Sequence, residues 1–128
     1  MIPDDLVAAV AGDLAAFARL HAVPHHALLT AQAQMPDLIL RRPALHRVLV
    51  TLSHERSTTE TIQLWASFVR RGYTLPADFP ITPLVITYDA THEDMIVDII
   101  SRLDELGDLI DGTIDDAELA MMLHEIEP

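Results

Sequence analysis

The hydrophobic residues of this chain recur mainly at the three- and four-residue spacing of amphipathic helices. Residues 3–22 carry the first such run and predict one helix with Pro3 in its first turn. Pro24 and Pro36 bound a second helix over residues 25–35. Three further helices are predicted over residues 57–72, 91–106 and 113–126. The pattern therefore predicts about five helices.

Two segments have the composition of β-strands. Residues 84–88, LVITY, are the strongest strand in the chain. Residues 47–53, RVLVTLS, fit two patterns. Val48, Val50 and Thr51 favour a strand, whereas Leu45, Val48, Leu49 and Leu52 also fit one helical face.

We interpret residues 47–53 as a strand because residues 49–72 and 84–107 share a pattern of strand followed by helix. A crossover helix would then make 47–53 and 84–88 parallel. The predicted fold is a single small α+β domain that is predominantly helical. Two parallel strands make a poor sheet, so a helical 47–53, or a sheet that continues across a homodimer interface, stays an alternative.

Composition and the pattern of charges predict that this chain of 128 residues is a cytoplasmic protein of a bacterium. There is no cysteine, and Asp4 and Asp5 stand where a signal peptide would be positively charged. Charged and polar residues interrupt every long apolar stretch, so no membrane span is predicted. Lysine and asparagine are absent, which is typical of a GC-rich genome and excludes lysine Schiff-base chemistry.

Charge divides the chain into two parts. Residues 1–80 are neutral, whereas residues 81–128 hold thirteen acidic residues and one arginine and so carry the whole net charge of −12. The negative charge of residues 81–128 disfavours nucleic acids and anionic membranes as partners. It would instead steer a basic protein toward the acidic part.

We therefore expect a protein-binding module, in its sharpest form an acidic inhibitor similar to bacterial immunity proteins or antitoxins. Its partner would be a basic protein such as a nuclease-type toxin. The partner-binding residues predicted for it are acids of the C-terminal third: Asp98, Asp104, Glu105, Asp108, Asp111, Asp115 and Asp116. A plain solvated surface explains the same charge. An accessory or regulatory subunit of a larger bacterial complex is a further alternative.

A different class of function is a small metal-dependent or acid–base enzyme. If 47–53 and 84–88 are adjacent parallel strands, their carboxyl ends bring His54, Glu55, Asp89 and His92 together in a cleft. Helix capping and first-turn acids explain some of the same residues.

Several absences favour a binding protein over an enzyme. There is no glycine-rich phosphate loop, no Gly-x-Ser-x-Gly elbow and no His-Glu-x-x-His motif. Residues 111–119 resemble the second half of an EF-hand loop, but Gly107 and Leu109 stand where ligand side chains are required. The sequence thus predicts neither a cofactor nor a metal site.

Overall fold

Seven helices and two three-residue strands make up the part of the chain that the structure, a computed structural model, describes: residues 1–74, 80–107 and 112–127. In chain order they are α1 (Ile2–Val10), α2 (Leu14–Leu20), α3 (His25–Gln32), β1 (Leu38–Leu40), α4 (Arg42–His54), α5 (Thr59–Arg71), β2 (Ile86–Tyr88), α6 (Glu93–Asp104) and α7 (Asp116–Ile126). Short 3-10 turns at Arg56–Thr58 and Ala90–His92 precede α5 and α6.

The two strands form a small parallel sheet in which Leu38 lies opposite Ile86 and Leu40 opposite Tyr88. The prediction of a predominantly helical α+β fold with a short parallel sheet is thereby confirmed, and 84–88 does contain one of its strands. The other strand, 38–40, is an apolar tripeptide to which the sequence analysis assigned no structure.

The prediction that residues 47–53 form a strand is wrong, because they lie within α4. Pro43 starts this helix in its first turn, where proline is well tolerated. The helical alternative also explains the burial, since Leu45, Val48, Leu49 and Leu52 are all fully buried on one side. The burial of four large side chains outweighs the weaker strand preference of the β-branched residues.

The single helix predicted for residues 3–22 is in fact two helices. Gly12 ends the first with φ of +91°, and a Cβ there would lie 2.6 Å from the carbonyl oxygen of Ala44. Asp13 then caps α2, its carboxylate accepting from the backbone N–H groups of Ala15 and Ala16. This division, together with α4, accounts for seven helices instead of about five.

The core centres on α5, which packs against α2, α4 and α6. Trp65 on this helix is fully buried, and its indole N–H donates to the carbonyl oxygen of Ala9 at 2.8 Å. Phe68, on the same helix, and Phe17 of α2 are also buried, and their rings are tilted by 45° with centroids 5.4 Å apart. The helix α7 packs against α4 and also contacts α6.

Gly72 fixes the path from α5 toward β2. It ends α5 with φ of +84°, and its carbonyl oxygen accepts from the backbone N–H of Leu84 at 2.8 Å. A side chain at Gly72 would collide with the Leu84 backbone. The close approach places the end of α5, with Arg70 and Arg71, near the segment that leads into β2.

Candidate docking surfaces

The histidine–carboxylate cleft loses the arrangement of strands on which it was based. The neighbour of β2 is β1, and at their carboxyl ends Asp89 donates its backbone N–H to the carbonyl oxygen of Leu40 at 2.9 Å. His54 and Glu55 lie instead at the exposed end of α4. They therefore do not share a sheet edge with Asp89 and His92.

The remaining cleft residues have structural positions at the start of α6. The carboxylate of Asp89 accepts from the backbone N–H of Thr91 at 3.2 Å, and His92 is the residue before the first turn of the helix. In the part of the chain that is described, no three His, Asp or Glu side chains are grouped to hold a metal ion.

Several acids predicted to bind a partner instead contact the protein itself. Asp104 is the clearest case, because its side chain is only 4% exposed. Its carboxylate pairs with Arg70 at 2.8 Å and with Arg71 at 3.6 Å, and it accepts from the side-chain amide of Gln63 at 3.0 Å. An ion pair with this many partners stabilises the contact between α5 and α6.

Three further acids from the same set are engaged more superficially. Asp115 caps α7 by accepting from the backbone N–H of Glu118, and Asp116 pairs with Arg56. Glu105 pairs with Arg102 at 3.1 Å. The predicted residues Asp108 and Asp111 lie outside the described residues.

Arg102 links α6 to α7. Its guanidinium contacts both carboxylate oxygens of Glu118, at 2.6 and 3.1 Å, and donates to the carbonyl oxygen of Thr113 at 2.8 Å. The hydrogen bond to Glu118 is the main reason why the pKa of Arg102 is raised above its ordinary value. The only arginine of residues 81–128 is therefore used to join α6 to α7.

Tyr88 lies close to the Asp104 ion pair, and burial raises the pKa of its phenol above the ordinary value near 10; the charge of Asp104 adds to this rise and Arg70 opposes it. A folded-state pKa above the unfolded one stabilises the protein below about pH 10, and this contribution is lost as pH rises further.

The raised pKa of Tyr88 can be tested by titration. In a Tyr73→Phe variant, which leaves one phenol, ultraviolet titration is expected to give a tyrosinate midpoint higher in folded than in urea-unfolded protein. Equal midpoints would contradict this.

After these pairings, the acids left on α6 form what we call the acidic stripe: Glu93, Asp94 and Asp98 around Val97. All three acids are exposed, and Val97 is 38% exposed. No other described side chain pairs with them. Of the acids predicted to bind a partner, Asp98 belongs to this stripe.

A second surface was missed by the sequence analysis: a groove of about 450 Å³ between α1, β1 and α4. Its lining is mostly apolar: Val7, Val10, Ala11, Leu38, Ile39, Pro43 and Ala44. Asp37, Arg41 and Arg47 supply its charged side chains. Pro43 as a helix-start signal would have placed Ala44 and Arg47 on one face of α4, but residues 47–53 were assigned to a strand.

None of the described helices is both long and apolar enough to cross a membrane. Comparison with known proteins adds no assignment: no protein family matches the sequence, and neither the curated proteins nor the solved structures give a significant match.

Proposed function

We propose that this chain is a protein-binding module that docks on a basic partner protein through the acidic stripe of α6. The observation that carries the proposal is the difference between two groups of acids. Asp104, Glu105 and Asp116 have arginine partners within the fold, whereas Glu93, Asp94 and Asp98 have none among the described residues.

Charge and hydrophobicity both support such a docking surface. Unpaired carboxylates attract a cationic surface over a distance of about one Debye length, ~8–10 Å at physiological salt, and so raise the association rate. Val97 in the middle of the stripe gives the partner an apolar contact that solvated carboxylates alone would not provide. An inhibitor similar to immunity proteins or antitoxins, covering the cationic site of a nuclease-type toxin, is the form of this function that we propose.

The experiment has two stages and a matched control. The tagged protein first captures a partner from a lysate of its source organism at low salt, and the partner is identified and purified. Association rates are then measured for the wild type, for an Asp94→Lys, Asp98→Lys variant and for an Asp4→Lys, Glu55→Lys control, which makes the same change in net charge at two exposed acids outside α6.

The stripe variant is expected to associate about tenfold or more slowly at low salt, and this difference should shrink as salt is added. The Asp4→Lys, Glu55→Lys control should stay within about twofold of the wild type, since it changes the overall charge equally but leaves the stripe intact. A stripe variant as fast as the wild type, or a captured partner without a basic surface, would count against the proposal. If the partner is a nuclease, its inhibition by the wild type provides a direct functional test.

A further inference from the structure

We propose that the groove between α1, β1 and α4 binds a small molecule that has an apolar tail and a single carboxylate. The site is separate from the acidic stripe, shares no residue with it and does not depend on the function proposed above. Three observations support the inference: the apolar lining, the two arginines at the groove and the net charge of the residues that line it.

The lining suits a hydrophobic tail. A volume of about 450 Å³ falls within the range of roughly 300–1,000 Å³ that is usual for small-molecule sites. Val7 is 53% exposed although it is apolar, and it lies beside Ala11 on the α1 wall of the groove. A ligand tail would remove this surface from water, which is the main source of affinity for an apolar group.

The two arginines of the groove differ from the other six. Arg19, Arg56, Arg70, Arg71 and Arg102 pair with carboxylates, and Arg42 donates to the carbonyl oxygen of Glu127. Arg41 and Arg47 have no partner within residues 1–74, 80–107 and 112–127. Because the 20 acidic residues far outnumber the 8 arginines, most arginines find a carboxylate partner. The two groove arginines without a partner among the described residues are therefore exceptional, and both lie at the same apolar groove.

Guanidinium groups bind carboxylates through charge-assisted and often bidentate hydrogen bonds. Asp37 also lines the groove, so two cations and one anion leave a single net positive charge. One carboxylate balances that charge, whereas a polyanion such as nucleic acid would meet the net charge of −12 of the whole chain. The ligand chemistry that fits is therefore a monocarboxylate.

Backbone groups add to the same preference. The helix α4 begins beside the groove, and no side chain caps its first turn. Its positive dipole end would therefore attract an anion bound near Arg41 and Ala44, which both line the groove. In β1, the carbonyl oxygen of Leu40 is directed to β2. Because adjacent residues of a strand point their backbone groups to opposite edges, the N–H of Ile39 is directed to the outer edge of β1.

The proposal is tested with octanoate as the probe and the full-length protein. Octanol and octylamine have the same tail with a neutral or a positive head, so they separate the contribution of the carboxylate from that of the tail. Binding is followed by two-dimensional amide NMR, which gives both the affinity and the place of binding. We expect saturable shifts at Val7, Ile39 and Ala44, and about tenfold weaker binding of octanol, as the loss of a charge-assisted contact implies.

Substitutions identify the groups responsible. Arg41→Gln and Arg47→Gln are each expected to weaken octanoate binding by about fivefold or more, and Arg56→Gln, which removes an equal charge elsewhere, by less than about twofold. Val7→Asp places a second carboxylate in the groove and lowers its net charge to zero, so the preference for octanoate over octanol should be lost. Thermal unfolding of each variant checks that the fold is retained, and Val7 and the arginines are exposed enough for this to be expected.

Several outcomes would overturn the proposal. Equal affinity for octanoate and octanol would show simple partition into an apolar surface. Equal effects of Arg41→Gln, Arg47→Gln and Arg56→Gln would assign binding to overall charge. Groove shifts that depend on protein concentration without any probe would identify the groove as a contact between two copies of the chain, and an absence of saturable binding would exclude the site.

Discussion

Trp65→Ala is expected to lower the free energy of unfolding by about 3–5 kcal/mol, the usual cost of truncating a large buried aromatic side chain. Trp65 is fully buried on the central helix α5, so a cavity would open where several helices meet. The variant also loses the indole hydrogen bond to Ala9, which joins α5 to the end of α1. Urea unfolding followed by circular dichroism measures the change, because the chain has one tryptophan and the variant has none.

Two further variants separate packing from hydrogen bonding. Trp65→Phe keeps an aromatic ring but removes the donor, and we expect a smaller loss of about 1–2 kcal/mol. The loss is limited because the carbonyl oxygen of Ala9 also accepts from the backbone N–H of Gly12 at 3.0 Å. Val97→Ala, on the solvent side of α6, should change stability by less than about 0.5 kcal/mol. A Trp65→Ala variant as stable as Val97→Ala would refute the central role of Trp65.

The second large effect concerns Asp104, where we expect Asp104→Ala to lower the free energy of unfolding by about 2 kcal/mol. The substitution removes a carboxylate that is 4% exposed and leaves Arg70, Arg71 and Gln63 without their shared partner. The two guanidinium groups are about half exposed, so water compensates part of the loss and the effect stays below that of a fully buried pair.

Asp98→Ala is the matched control for Asp104, because it removes one carboxylate from the same helix at an exposed position without a described partner. Its effect on stability should stay within about 0.5 kcal/mol. Asp104→Asn should fall between the two, since its side-chain oxygen can still accept from Gln63 while the charge is lost. Equal stabilities of the Asp98 and Asp104 variants in chemical denaturation would show that the Asp104 contacts contribute nothing.

This contrast also changes how partner binding should be tested. From the sequence, Asp104 and Asp98 are equivalent acids of the same helix, and reversal of Asp104 looks like a test of docking. In the structure, reversal at Asp104 would place three cations together at the contact of α5 with α6. Reduced binding by such a variant would then report on folding, whereas Asp94 and Asp98 report on the surface.

The sequence predicted those elements whose local signals agree with their packing. In α5 the apolar spacing of Ile62, Trp65 and Val69 coincides with the stop at Gly72, and in α6 the spacing is equally regular. The prediction failed where the local signals conflict with each other or where an element is too short to carry a pattern. The strand preference of Val48, Val50 and Thr51 concealed α4, and three residues at 38–40 are too few to show an alternating pattern.

The candidate surfaces were predictable to a smaller extent. Acidity of the C-terminal third follows directly from composition, but which acids remain unpaired depends on arginines from distant parts of the chain. The groove has walls from three separate elements, α1, β1 and α4. No local pattern could show that Val7 and Arg47 face the same space, since their proximity is produced only by tertiary packing.

The order in which the protein folds follows from the pairing of β1 with β2. All of α4 and α5 lies between these two strands in the chain, so their pairing closes a long loop at a large entropic cost. Contacts between successive helices, such as α1 with α2, close much shorter loops and can form first. The small sheet is therefore expected to form after the transition state, and substitutions in it should mainly accelerate unfolding while leaving the folding rate almost unchanged.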